Sequence, residues 1–216
     1  MKAKKFIVLG VLFLLPLFVY MFFATGVNNF VRLPVLTEGV SELDAFSSST
    51  GEQVQLKGRI TVLGFAGSDV EARKANAFNL AHKIYKKNYQ FEEFQFVFLA
   101  TPDQMEASEA LRQKISEIED PVNWKFAFGT EEAIRSVFES LGSPYTLDGT
   151  SGTDMVFIID KDGNLRGRDD DEDVQLLYGF NAADYAEINN KMSDDIKVVL
   201  AEYRLALKKY KSNREI

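Results

Sequence analysis

Four compact apolar runs of strand length, Ile60 to Phe65, Phe94 to Ala100, Trp124 to Phe128 and Met155 to Ile159, are separated by stretches whose apolar residues recur at helical spacing. Alternation of this kind predicts a central sheet with parallel strand pairs and helices packed on it. The first helix is expected from near Asp69 to about Lys87, with Ala77, Leu80, Ala81 and Ile84 on its inner stripe. Thr101 opens the next as its cap, with Pro102 at the first helical position, Gln104 completing a capping box, and Met105, Leu111, Ile115 and Ile118 facing inward. Thr130 caps a third, whose first turn carries Glu131 and Glu132, favourable at a positive helix end, and Gly142 closes it. Asp160-Lys161-Asp162-Gly163-Asn164 forms a tight hairpin turn into a strand beginning at Leu165, which is expected to add an antiparallel edge to the sheet. A last long helix carries Met192, Ile196, Val199, Tyr203, Leu207 and Tyr210 on one side, and Gln53 to Leu56 reads as a short edge strand.

The N-terminus obeys a different solvent. No residue between Lys5 and Arg32 is charged, and Phe6 to Phe23 is almost wholly apolar, long enough as a helix to cross a hydrocarbon core of roughly 30 Å. Lys2, Lys4 and Lys5 precede it and hold that end in the cytoplasm by the positive-inside rule. A cleaved signal peptide is the competing reading. The apolar run is long for a signal core, however, and Phe22-Phe23-Ala24-Thr25-Gly26 lacks a clean pair of small residues for cleavage. The expected organisation is therefore a cytoplasmic start over 1–5, a transmembrane anchor over 6–27, a linker over 28–52 rich in Pro, Gly and Ser, and one domain over 53–216. That places the chain in an inner membrane, single-pass, with its domain on the periplasmic side. The net charge is −7, with Asp+Glu 32 against Lys+Arg 25, which argues against nucleic acid as a partner.

The first strand runs through Ala66, Gly67 and Ser68 into its helix, the junction where thioredoxin-like proteins keep their working cysteines. This chain has no cysteine. The element order is nevertheless thioredoxin-like: an α/β sandwich with a central mixed sheet, preceded by one N-terminal transmembrane helix. Without disulfides the core alone must hold it together, and 18 Phe supply ample apolar area.

Several features in order resemble the Sco/SenC family of membrane-anchored thioredoxin-like proteins that handle copper for cytochrome c oxidase assembly. They are Leu33-Pro34-Val35 soon after the anchor; the strand ending at Phe65; Trp124 followed by Gly129-Thr130-Glu131-Glu132; Phe157-Ile158-Ile159-Asp160-x-Asp162-Gly163; and Asp194-Asp195-Ile196-Lys197-Val198-Val199-Leu200. The resemblance covers nearly the whole chain. In that family two thiolates of a Cys-x-x-x-Cys motif and one histidine hold the metal, soft sulfur suiting Cu(I). It implies that Ser68 and Ala72 stand at the cysteine positions and Gly152 at the histidine position. Neither family copper transfer nor thiol–disulfide exchange, whose nucleophile is a thiolate, is then expected.

Other chemistry is sparse. His82, the one histidine, falls off the apolar stripe and is expected to face solvent. Five scattered methionines and that histidine do not make a substitute copper site. Asp169, Asp170, Asp171, Glu172 and Asp173 form an acidic stretch, read as a solvated loop, with hard-oxygen binding of a cation as the alternative. At Gly67-Ser68-Asp69, capping by Ser68 or Asp69 is the plainer account than an anion site. Lys208, Lys209, Lys211 and Arg214 read as a solvated helix end. The resulting expectation is a domain that is not an enzyme and needs no cofactor. It would contact the membrane through its anchor and an unknown protein partner through its surface, in an interaction or assembly role tied by resemblance to oxidase biogenesis.

Overall fold

The computed structural model describes residues 2–24 and 32–212. It divides into a helical N-terminal unit and a compact unit that begins at Arg32.

The first unit is one helix, α1 (Lys2–Ala24), containing Pro16. It is apolar all round rather than along one stripe: Phe6, Leu12, Phe13, Leu15, Phe18 and Phe22 are each more than half exposed. Among the described residues no helix is long and apolar enough to cross a membrane. Residues 25–27 of the expected anchor and 28–31 of the expected linker lie outside the described residues.

In the second unit the strands are β1 (Val35–Thr37), β2 (Ile60–Gly67), β3 (Phe94–Ala100), β4 (Trp124–Phe128), β5 (Thr153–Ile159), β6 (Leu165–Arg166), β7 (Arg168–Asp171), β8 (Gln175–Leu177) and β9 (Phe180–Asn181). The main sheet has the order β1-β6-β5-β2-β3-β4, with β9 also on β5. β2, β3 and β4 are parallel, while β5 joins β2 antiparallel and continues antiparallel to β6 and β1. The hairpin strands thus lie inside the sheet, and β1 and β4 form its edges. All eight positions of β2 and all seven of β3 are buried, which is why both read as continuous apolar runs: a strand covered on both faces has no polar alternation to show.

The helices are α2 (Lys74–Leu80), α3 (Lys86–Asn88), α4 (Met105–Ser116), α5 (Glu131–Ser140), α6 (Tyr185–Glu187) and α7 (Ser193–Ser212). One face of the sheet, with Val62, Phe96, Phe98, Trp124 and Ile158, packs against α2, α4 and α7. A wide π turn over Ala81–Tyr85 joins α2 to α3 and brings the consecutive residues Ile84 and Tyr85 both inside. The predicted stripe Ala77, Leu80, Ala81 and Ile84 is buried, and so are Met192, Ile196 and Val199. The side chains of Leu207 and Tyr210, and of the basic tail, lie outside the described residues.

The opposite face, with Leu63, Phe65, Val97, Leu99, Phe157 and Ile159, has one helix over it, α5. One helix cannot cover such a sheet. Val40, Leu43, Phe46, Val54 and Leu56 complete the layer, so the stretch read as a linker is wall, and it also supplies β1. Its irregular backbone is held by Glu42, whose carboxylate accepts from Leu56 N–H at 2.6 Å and Lys57 N–H at 3.0 Å. Those donors serve a side chain instead of a neighbouring strand. The expected edge strand Gln53 to Leu56 accordingly reduces to a single bridge between Ser47 and Gln53.

Candidate functional site

β2 ends at Gly67, which has φ +62°, a left-handed conformation that glycine adopts without penalty. The turn brings Ser68 onto the loop before β5: Thr150 carbonyl accepts from Ser68 N–H at 2.8 Å and from its hydroxyl at 3.2 Å. Gly67 lies so close to that loop that a Cβ would overlap the Thr150 carbonyl and meet the Gly152 nitrogen at 2.8 Å. On the other side Gly67 carbonyl accepts from Thr101 N–H at 3.0 Å.

The helix start is satisfied from within the protein. Asp69 Oδ1 accepts from Ala72 N–H at 3.0 Å, and Gln104 Oε1 from Val70 N–H at 3.2 Å. The predicted capping box at Thr101 and Gln104 is therefore not formed. Thr101 turns its hydroxyl to Gly67 carbonyl, and Gln104 caps the neighbouring helix instead of its own. Thr130 does cap α5, accepting from Ala133 N–H at 3.2 Å.

The loop from Asp148 to Gly152 is wound around the Asp148 carboxylate. Oδ1 accepts from Thr150 N–H (2.8 Å), Thr150 hydroxyl (2.6 Å) and Gly152 N–H (3.1 Å). Arg73 locks this loop to the helix. Its guanidinium pairs with Asp148 Oδ2 and donates to Asp154 Oδ1 at 2.7 Å, and Asn76 donates to that same Asp154 oxygen at 2.8 Å. Burial pushes the Asp148 carboxyl up. The Thr150 and Gly152 donors and the Arg73 charge outweigh it and hold the group below its ordinary 3.8.

The three positions singled out in the sequence fall as follows. Ser68 bonds to Thr150 in the loop that also carries Gly152, while Ala72 is exposed on the following turn. A Cβ on Gly152 would stand 3.2 Å from Arg73 Nη2 and 3.3 Å from its Nε, so the guanidinium occupies the space that a histidine there would enter. The residues do not fit a copper ion: one hydroxyl already bonded to a carbonyl, two positions without a side-chain donor, and a fixed cation beside them. Arg73, Asn76, Asp148 and Asp154 escaped sequence reasoning, since Arg73 and Asp154 are 81 residues apart. The Asp148-Gly-Thr-Ser-Gly run was the one local signal, a composition suited to a side chain-bonded turn.

The acidic stretch is part strand and part turn, and it is solvated at Asp169, Asp170, Glu172 and Asp173, with Asp171 alone buried. Residues 168–171 form β7, paired with β8 in a register that shifts between Arg168 and Asp171, and Glu172 and Asp173 lie in the turn that follows. Asp171 is buried and binds Lys191 Nζ at 2.8 Å, and the same ammonium reaches Asp173 at 2.7 Å. Lys191 thus stands where a cation would, and among the described residues no group of three His, Asp or Glu could hold a metal ion. His82 is exposed on its helix.

A depressed folded-state pKa contributes stability that is present above the ordinary carboxylate range and lost as pH falls through the folded value. Asp148→Asn is therefore expected to lower stability at about pH 7, with the difference from wild type closing toward about pH 2. Urea unfolding of both proteins at the two pH values checks this; a difference independent of pH would mean that the charge of Asp148 is not what holds the loop.

No family model matches the chain, and no curated protein matches it in sequence. Solved structures do. BsSco, a member of the Sco family of cytochrome c oxidase assembly proteins, superposes with a TM-score of 0.51 at 14% identity, over 78% of this chain and 98% of its own. A proposed electron transfer protein of Aquifex aeolicus gives 0.52 at 17% identity, over 72% and 90%. A proposed protein disulfide isomerase of Bacteroides thetaiotaomicron gives 0.51 at 16%, over 79% and 95%. With the strand order and the junction described above, these likenesses show that the second unit has the thioredoxin-like fold, built on a central mixed sheet.

Proposed function

We propose that this chain is a membrane-anchored, extracytoplasmic thioredoxin-like protein that works by binding another protein rather than by catalysis. Its setting is an inner membrane, with the N-terminus cytoplasmic, the domain periplasmic and the partner in cytochrome c oxidase assembly. The observation that carries the reading is the Arg73 bridge to Asp148 and Asp154. The junction that is reactive in cysteine-bearing proteins of this fold is here an ion-paired joint between two segments. The oxidase context is supported by the likeness to BsSco and by the sequence resemblance. The anchor is supported by α1, which carries no charged residue after Lys5 and exposes large apolar side chains all round, surface that water does not favour.

Tagged full-length protein, extracted in mild detergent, is expected to retain a specific membrane partner; emergence alone would remove the interaction role. Carbonate washing is expected to leave the full chain in the membrane and to release a chain lacking residues 2–24. Release of both would refute the anchor and leave the interaction role standing.

A further inference from the structure

We infer that the segment 208–214, at the end of α7, is a contact site for anionic phospholipid headgroups. This rests on the membrane-anchored reading proposed above and gives the domain a second hold on the same membrane.

Lys208, Lys209, Lys211 and Arg214 place four positive charges in seven residues that contain no acid. With the three lysines before the apolar run they account for +7 of a chain whose net charge is −7, which leaves −14 on the rest. An anionic surface therefore attracts this segment and repels the remainder of the domain. The helix dipole favours bases in the last turn. α7 ends at Ser212, so Lys208 precedes that turn and Arg214 follows it, and the dipole does not account for the whole cluster.

The segment also carries apolar residues at helical spacing. Ile196, Val199 and Tyr203 pack α7 against the core, and among the described residues Tyr203 is the last of α7 to do so. Leu207 and Tyr210 continue the same spacing in the sequence beyond that point. Lysines interleaved with Leu and Tyr on a helix make the composition that settles at a lipid interface, where tyrosine is favoured at headgroup level.

The fold keeps the segment within reach of the anchor. Leu33 N–H donates to Glu202 Oε1 at 2.9 Å, and Arg166 ties Leu33 carbonyl to Glu202 Oε2 at 2.7 and 2.8 Å. Leu33 follows Ala24, the end of α1, by nine residues, at most about 30 Å of extended chain. From Glu202 to Ser212 the helix adds about 15 Å. Covalent length and this one clasp thus hold the segment within about 50 Å of the end of α1. At that reach the headgroups stand at high effective concentration and a weak attraction suffices, a standing proximity that a separate protein partner does not have. Each lysine or arginine near an anionic leaflet strengthens association roughly fivefold.

The test uses the full chain carrying Ser212→Cys, which gives a single sulfhydryl because the chain has no cysteine, labelled there with an environment-sensitive dye. It is reconstituted into vesicles of phosphatidylcholine alone or with about 30% phosphatidylglycerol. Dye emission is expected to rise at least about twofold on the anionic vesicles alone at about 0.1 M salt and to fall back at about 1 M. The rise is expected to vanish in the Lys208→Gln/Lys209→Gln/Lys211→Gln/Arg214→Gln variant. Equal emission on both vesicles, or a rise that the variant keeps, overturns the lipid contact. The lipid and salt comparisons use the unneutralised segment, so a variant that fails to fold leaves them decisive. Flotation with neutral vesicles but no emission rise removes the contact and leaves the anchor. Flotation with anionic vesicles alone, lost in the variant, keeps the contact and refutes the anchor. A variant that loses its membrane partner, where emission of the unneutralised chain is the same on both vesicles, overturns the lipid contact in favour of a protein one.

Discussion

Gly67→Ala is expected to destabilise the domain by about 3 kcal/mol, the sum of roughly 1–2 for a left-handed alanine and roughly 1–2 for hydrogen bonds pulled apart at the loop. The steric part arises because the new Cβ would overlap Thr150 carbonyl. The 148–152 loop must then retreat, and with it the bonds from Ser68 to Thr150 and the seat of the Arg73 bridge. Gly51→Ala is the control: φ is +82° there, but no atom stands within 4 Å of the added Cβ, so only the conformational cost of about 1 kcal/mol remains. Thermal unfolding resolves the two, since each kcal/mol moves the midpoint by roughly 2–4 °C in a domain of this size. Equal shifts for the two variants would show that the junction yields without cost.

Arg166→Met is the second large effect, expected at about 3–5 kcal/mol. Arg166 is buried and its guanidinium reaches three places: Leu33 carbonyl at 2.7 Å, Asp160 at 3.2 Å and Glu202 at 2.8 Å. Glu202 in turn accepts from Leu33 N–H at 2.9 Å, so Leu33, Arg166 and Glu202 close a ring that joins the start of the compact unit to β6 and α7. Methionine preserves the aliphatic volume and leaves two carboxylates facing each other without a cation, which is the costly outcome for a buried pair. Adding Glu202→Met is expected to recover at least about 1 kcal/mol, because it removes one stranded charge. Urea unfolding of the single and double variants gives the comparison. Additive losses in the double variant would mean that the two residues do not act as a unit.

What could be read from the sequence follows from how local each signal is. β2 to β5 were legible because their apolar density is carried within one short segment, and α5 because Thr130 and Gly142 mark its ends. β1 was not, since three residues amid Pro34 and Gly39 have no periodicity to detect, although Leu33, Val40, Leu43 and Phe46 are spaced as buried residues. The Thr101 capping box failed because a better-placed N–H, that of Val70, competes for Gln104 across 34 residues of chain. The acidic run hid a strand because five successive acids offer no apolar residue to mark one; only Lys191, 20 residues later, shows that Asp171 points inward. At the candidate site the sequence singled out Ser68, Ala72 and Gly152 by the ligand types they do not carry. It could not show what stands in their place.

The Arg73 bridge has a bearing on paths through sequence space. Histidine at 152 would push the guanidinium off Asp148 and Asp154 before any thiol was present to use it. Cysteines at 68 and 72 would sit beside a fixed cation and lack the third donor. Removing Arg73 first would leave two carboxylates facing each other across the loop. Replacing Gly152 or Arg73 therefore breaks the bridge to Asp148 and Asp154, so the two positions are bound to each other and neither changes alone without loss of stability.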